Sequence, residues 1–567
     1  MNRFRVRAGQ VSIALAILFC SLRGVHAQNQ CCADQFEVEL PSSLPGPITG
    51  RVFIMVSATD RPEPRLDAGT WYSRTEIMGE DVDQLRPGES VVLDSNTHAY
   101  PLPRLQDLPA GDYFIQALLN VYTQFHRADG RTIWAHADHW EGQQFNRAPG
   151  NLYSPVLRVH LDPRKAYKGK LSLTNQIPPV GLPADTLYVK HMKIQSKLLT
   201  DFWRQPVYLG ATILLPEGYD SHPNVNYPVL YEQGHFTLRP PLGFSTEPPA
   251  DPNALEGELR WSGEISGFDF YKQWISPGFP RMIVVTFQHP TVFFDDSYAV
   301  NSANNGPYGD AIMKELIPYI ESHFRIIRTP YARLLSGGST GGWESLALQI
   351  YHPEFFGGTW SFYPDPVDFV RYQLVDVYHD PSAFEAPGYA PPIPERPMER
   401  TVEGLVDVTM RQMSQLEDVL GTHGRSGQQY EAWESIYGPV GDDGYPKPLW
   451  DKRTGAIDHD VAAYMKDHGY DLRAYLEQHW AEIGQNLVGK LHVYCGDMDN
   501  FFLNSAVARL EAFLKSTTNP PYAGEFGYGR PFKGHGWHPL NQAELLRTMS
   551  EYVTAHSSHG TDFSWKY

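Results

Sequence analysis

Gly337-Gly338-Ser339-Thr340-Gly341 is the segment of this chain best suited to nucleophilic chemistry. A serine hydroxyl is a weak nucleophile until a base takes its proton and donors hold the oxyanion that forms. Glycines on both sides let a strand turn sharply into a helix, lifting the hydroxyl out of the sheet. The free N–H groups of the helix start then face the developing charge. Leu334-Leu335 reads as the strand before the motif, and Trp343, Leu346, Ala347 and Ile350 as the apolar face of the helix after it. Outside that context the same residues would read as an ordinary Ser/Gly loop.

Such a motif predicts an order along the chain: nucleophile, acid, histidine. Leu491-His-Val-Tyr-Cys495 reads as a strand, and Gly496-Asp497-Met498-Asp499 places two carboxylates on the loop after it. Gly534-His535-Gly536-Trp537-His538 follows just before the last helix. Asp499 fits G-x-x-D spacing and is preferred to Asp497, whose alternative role is a turn or cap. His535, held between glycines, is preferred to His538, which precedes Pro539 and has a helix start as its alternative. The oxyanion donors are expected at the Thr340 N–H and in Gln233-Gly234-His235-Phe236, the loop after Tyr227-Pro-Val-Leu-Tyr231.

These groups need a sheet to hold them. From about 188 the chain alternates strands and helices, the grammar of a largely parallel sheet. Strands are expected at 206–215, 227–231, 281–287 and 491–495, and a closing helix at 542–555. Met313, Leu316, Ile317 and Ile320 share one face of a helix over 310–324, which Pro318 should kink. Residues 34–175 carry short β-branched and aromatic runs between Gly, Pro and Asp turns, as in a β-sandwich. Ile177 to Pro183 reads as a Pro-rich linker. About 363–489 is an aromatic-rich insertion, mostly helical in pattern, at a position where a lid or substrate wall is expected. The fold class is therefore α/β, an α/β-hydrolase domain over 188–557 behind an N-terminal all-β sandwich domain.

Residues 1–27 read as a signal peptide: Arg3, Arg5 and Arg7, an apolar stretch from Val11 to Leu22, then Val25-His26-Ala27. Export makes the location secreted or periplasmic, with no membrane insertion after cleavage. The net charge is −18, and the leader contributes four Arg and no acid, so the remainder is more acidic still. That disfavours nucleic acid and anionic membranes as partners, and no nucleic-acid partner is expected. Cys31, Cys32 and Cys495 form no legible disulfide framework, and Cys495 reads as a small buried hydrophobe.

Tyr227-Pro-Val-Leu-Tyr231 with its Gly/His pair, Asn305-Gly-Pro-Tyr-Gly-Asp310, Glu315-Leu-Ile-Pro-Tyr-Ile320, Gly337 to Gly342 and Gly534-His-Gly-Trp537 together resemble the putative-esterase family. That family groups esterase D, enterochelin esterases, feruloyl esterases and mycolyltransferases, and the resemblance covers roughly 205 to 550 outside the insertion. It implies Ser339 as nucleophile, His535 as base and an acid at Asp499, and enterochelin esterases also carry a preceding β-sandwich. The chain departs from the family at Gly234-His235, where His-Gly is usual, and at Thr340, where Met is usual.

Trp134-Ala-His136-Ala-Asp138-His139-Trp140 has zinc-ligand residue types, yet no further ligands lie nearby and tryptophans flank it. It reads as a polar loop, so no metal and no organic cofactor are expected. Asp295 to Tyr298 and Asn301 to Asn305 read equally as pocket lining or as turns. Trp433, Tyr437 and Trp450 suit either core packing or contact with an aryl or sugar group. The expected function is an exported serine esterase acting on a small-molecule or polymer-linked ester through an acyl-enzyme. An acyltransferase on the same triad is the alternative, and a non-catalytic glycan- or partner-binding protein is a more distant one.

Overall fold

The computed structural model describes residues 35–567, apart from 95, 252–258, 260–261, 387 and 389–393. The expected signal peptide, Cys31 and Cys32 lie outside the described residues. Cys495 is buried and free.

Two packed sheets and a separate hairpin, Thr123–His126 with Thr132–Ala135, form the N-terminal part. Strand Ile48–Ser57 pairs with Glu76–Leu85 on one side and Gly111–Val121 on the other, at the centre of the larger sheet. The smaller sheet is Lys168–Ser172, Gln35–Glu39 and Ser90–Asp94. Strand alternation explains why 52–56 is apolar throughout. Val52, Ile54 and Val56 pack with Phe36, Val38 and Leu93 between the two sheets. Phe53 and Met55 point the other way, into a core shared with the insertion. Arg51 extends that contact, its Nε donating to Val419 O at 3.0 Å. Arg425 of the insertion pairs with Asp81 at 2.9 Å.

Eight strands form the second sheet: β1 Val189–Ser196, β2 Val207–Leu214, β3 Val229–Gln233, β4 Ile283–Gln288, β5 Arg333–Gly338, β6 Gly358–Phe362, β7 Leu491–Gly496 and β8 Glu525–Gly529. Their order across the sheet is β1-β2-β4-β3-β5-β6-β7-β8. β2 runs antiparallel to both neighbours, and β4 through β8 pair in parallel. The strand order reverses around β3 and β4, and the carboxyl ends of β3, β5, β6 and β7 converge on one edge. That edge is where an open α/β sheet binds its ligand. Helix α1, Thr340–Tyr351, leaves β5 there and is buried along nearly its whole length. Among the described residues no helix is long and apolar enough to cross a membrane.

The segment around Pro318 differs from the expected kinked helix. Tyr308–Ala311 and Ile317–His323 are α-helical, and Ile312–Leu316 between them is a π turn in which Ile317 N bonds Ile312 O. Proline lacks an N–H and crowds the carbonyl four residues back, and the wider turn relieves both problems without breaking the run. The insertion between β6 and β7 contains α2 Met410–Leu420, α3 Gln429–Tyr437, α4 His459–Asp467 and α5 Leu472–Ile483, with a short hairpin Pro397–Arg400/Val406–Thr409 before α2. Its Trp433, Tyr437 and Trp450 are buried.

Candidate active site

β5 ends at Gly338 and α1 begins at Thr340, leaving Ser339 alone at the corner with φ 56° and ψ −119°. A non-glycine residue there costs about 1–3 kcal/mol and persists only where its surroundings over-determine it. The neighbouring glycines show how. A Cβ on Gly337 would stand 2.3 Å from Gly341 O, and one on Gly341 would stand 2.0 Å from Gln233 O. The end of β3 thus presses directly on the first turn of α1, which brings the loop after Gln233 beside Ser339. Backbone bonds close the corner from the other side, Ser339 N to Phe362 O at 3.0 Å and Asp365 N to Ser339 O at 3.1 Å. Thr340 N–H opens α1 and so has no acceptor within the helix.

The loop after β7 carries both candidate acids, and they do different things. Asp499 is fully buried. Its Oδ1 accepts the N–H groups of Phe501 at 3.0 Å and Leu503 at 3.1 Å, and its Oδ2 lies 2.9 Å from His535 Nδ1. Asp497 instead accepts Lys533 N at 2.9 Å and braces the neighbouring loop. His535 is fixed further by its N–H, which donates to Asn500 Oδ1 at 2.8 Å, and by rings on two sides, Tyr363 at 4.6 Å and Phe501 at 4.9 Å. His538 turns away to Tyr363 OH, 2.8 Å from its Nε2. Burial and the neighbouring His535 depress the His538 pKa to about 4, so its ring is neutral near pH 7 and paired with that hydroxyl.

Among the described residues no hydrogen bond joins Ser339 to His535. Ser339 Oγ donates at 3.3 Å to Asp365 Oδ1, a residue that sequence reasoning missed. Asp365 Oδ2 accepts from Tyr298 OH at 2.5 Å, Thr340 Oγ1 at 3.0 Å and Gln429 Nε2 at 3.3 Å. Trp433 Nε1 donates to the same tyrosine oxygen at 2.6 Å. The insertion, through α3, therefore reaches the serine by way of one buried carboxyl group. Burial raises the Asp365 pKa above the usual carboxylate range, against the donors Tyr298 and Thr340 and the nearby charges of His235 and His535. The only sequence signal is Asp365 itself, three residues beyond a strand adjacent to the nucleophile strand. Tyr298 thus belongs to the site. Asn304 and Asn305 instead donate to Gly438 O and Ser435 O of the insertion.

His235 projects from the loop after β3 with its ring about half exposed. Its Nδ1 is 3.1 Å from Asp295 Oδ1 and 3.5 Å from Asp296 Oδ2. Desolvation would lower its pKa, but the two carboxylates hold it well above the ordinary histidine range. Phe236 packs edge-on against Trp140 at 5.5 Å. The segment with zinc-ligand residue types, 134–140, therefore braces this loop. Asp138 caps its turn, accepting Trp140 N and Gln143 N at 2.7 Å each, and His136 Nε2 meets Glu141 Oε1 at 2.6 Å.

Residues 208–544, more than half of the chain, match the family described as Putative esterase. No curated protein sequence matches the chain. Among solved structures, a ferulic acid esterase is 16% identical with a TM-score of 0.32, over 65% of this chain and 97% of its own. A fluorophosphonate-binding serine hydrolase of Staphylococcus aureus is 13% identical (TM-score 0.31; 65% and 97%). An S-formylglutathione hydrolase from Agrobacterium tumefaciens is 13% identical (TM-score 0.30; 66% and 96%).

Proposed function

Because this chain belongs to the putative esterase family, we propose that it is an exported serine esterase whose nucleophile is Ser339, with His535 as base and Asp499 as the acid that orients it. The observation that carries this reading is the 2.9 Å contact between His535 Nδ1 and the fully buried Asp499, on the loops beside the strained Ser339 corner. With Nδ1–H donated to Asp499, Nε2 is left as the basic nitrogen. It takes the Ser339 proton as Oγ attacks the ester carbonyl, and the carbonyl oxygen becomes an oxyanion. Thr340 N–H and the His235–Phe236 loop hold that charge, His235 adding a positive ring. Collapse expels the alcohol, protonated by His535, and water attacks the acyl-enzyme by the same route in reverse. The serine must leave Asp365 to meet His535. Catalytic contacts of this kind commonly tighten only when substrate is bound.

A cavity of about 300 Å³ lies behind Gly337 and Gly338, lined by Glu232, Glu264 and His538 as well as Phe362, Tyr363 and Leu545, and by neither Ser339 nor His535. On a p-nitrophenyl ester series we expect turnover, with a burst of one p-nitrophenol per active site where deacylation is slow. Absence of turnover on every ester of the series, by folded protein, would overturn the proposal.

A further inference from the structure

Beside the oxyanion loop, five ionisable side chains converge without enough hydrogen-bond partners. His235, Asp295 and Asp296 bring one nitrogen and two carboxylate oxygens within 4.8 Å of one another, and His289, Asp296 and Glu344 do the same deeper in. Asp296 joins the two groups. Its Oδ1 is taken by the Tyr298 N–H at 2.9 Å, and its Oδ2 is buried with no hydrogen-bond partner of its own. Glu344 is completely buried on α1, and both of its carboxylate oxygens lack a partner. Asp296 has the His235 ring 3.5 Å away as a counter-charge, whereas Glu344, buried beside it, has neither donor nor counter-charge, which is costly.

His289 does not resolve this. Its Nδ1 accepts the Ser297 N–H at 3.0 Å, so its hydrogen sits on Nε2, which faces Glu344 Oε1 across 3.9 Å. It serves as a distant donor, and a metal could not use that nitrogen. The outer group is different. His235 is half exposed and gives a route in from solvent. Its Nδ1 stands 3.1 and 3.5 Å from the two aspartate oxygens. Ligand atoms around a tetrahedral zinc with bonds of about 2.0–2.2 Å stand roughly 3.3–3.5 Å apart.

We propose that His235 Nδ1, Asp295 and Asp296 Oδ2 form a binding site for a divalent transition-metal ion, zinc foremost, with Glu344 as the buried carboxylate behind Asp296. One imidazole and two carboxylates suit zinc or manganese better than a hard all-oxygen cation. Three protein ligands leave a position for water. The ion takes the place of the proton on Nδ1 and neutralises the carboxylates that are otherwise left facing each other. If His235 also serves the oxyanion, as read above, a metal on Nδ1 fixes its Nε2–H toward the ester. That consequence rests on the functional proposal, and the site itself does not.

The test is metal content and binding, which do not pass through catalysis. The secreted protein, purified without chelators, should hold about one zinc or manganese per chain by plasma mass spectrometry. After stripping with dipicolinate, zinc titration by calorimetry should show one saturable site, and added zinc should raise the thermal midpoint. Asp296→Asn should abolish binding. Glu344→Gln, which removes the buried carboxylate behind Asp296, should weaken it by about 10- to 100-fold, the size of effect seen for groups around a metal's ligands. Should Asp296→Asn fail to fold, His235→Ala, altered at a half-exposed ring, must lose the site while keeping the native circular dichroism. No bound metal and no saturable response to millimolar zinc or manganese would overturn the proposal, leaving Asp296 and Glu344 to share a proton. Zinc bound equally well by Asp296→Asn and His235→Ala would overturn it too.

Discussion

His535→Ala is expected to lower kcat/KM by about 10⁵- to 10⁶-fold, the loss seen when a member of a serine–histidine pair is removed outright. The expectation follows from the uniqueness of its position. Its Nδ1 is tied to a fully buried carboxylate, and its ring is wedged between Tyr363 and Phe501. Among the described residues no other histidine nitrogen pairs with Asp499, which leaves His535 Nε2 as the base of this reading. His538, three residues on, is a strict control because it is also a histidine in the same loop. It is engaged with Tyr363 OH and kept neutral, and it touches neither candidate acid. His538→Gln keeps a hydrogen-bonding group for that hydroxyl and should cost no more than about tenfold, the worth of one ordinary hydrogen bond. Steady-state rates of the two variants on one activated ester decide the matter. Activity lost only in the His538 variant would reverse the assignment of the base.

Asp499→Asn should cost about 10⁴-fold in kcat with KM little changed, because the amide keeps the shape and loses the charge and the tautomer. An asparagine can offer its N–H to His535 Nδ1, which forces the hydrogen onto Nε2 and removes the base. If it offers its oxygen instead, the amide nitrogen must face the Phe501 and Leu503 N–H groups, donor against donor. Either way the geometry conflicts. Asp497→Asn makes the contrast, since its one bond, from Lys533 N to Oδ1, survives in the amide. Equal losses in the two variants would show that the loop, and not the buried carboxylate, matters. Circular dichroism and thermal midpoints separate an unfolded Asp499→Asn from an inactive one.

How far the sequence carried this account depended on how local each feature is. The Ser339 corner was legible because its requirements lie within five residues: glycines for close backbone approach, a strand before and a helix after. Most strands of the second sheet were legible for the same reason, as β-branched runs such as 281–287. β8 was not, because Glu525-Phe-Gly-Tyr-Gly529 is poor in β-branched residues and exists by pairing with β7. β6 was absorbed into the approach to the insertion, since Gly358-Thr-Trp-Ser-Phe362 is too short to show a period. The π turn before Pro318 was read as a kink, because sequence marks the lost hydrogen bond and not how the chain will absorb it.

The polar surroundings of the serine were the least legible. Asp365 gains its role only because β6 lies next to β5, and Tyr298 and Gln429 reach it from segments far apart in sequence. Glu344 left a faint trace, the single carboxylate in the run Trp343 to Ile350, whose meaning depends on Asp296 standing opposite. The segment 134–140 was read as a polar loop on the first domain, and the structure adds what sequence spacing does not contain. Trp140 stands against Phe236, so this loop braces the loop after β3.

The central claim is that Ser339 is the nucleophile, and a covalent adduct tests it most directly. Intact-mass spectrometry after treatment with a fluorophosphonate should show a single phosphonyl addition on the wild-type chain, and peptide fragmentation should place it on Ser339. Ser339→Ala should take up none, and His535→Ala should react far more slowly. An adduct on another residue, or undiminished labelling of folded Ser339→Ala, would contradict the account.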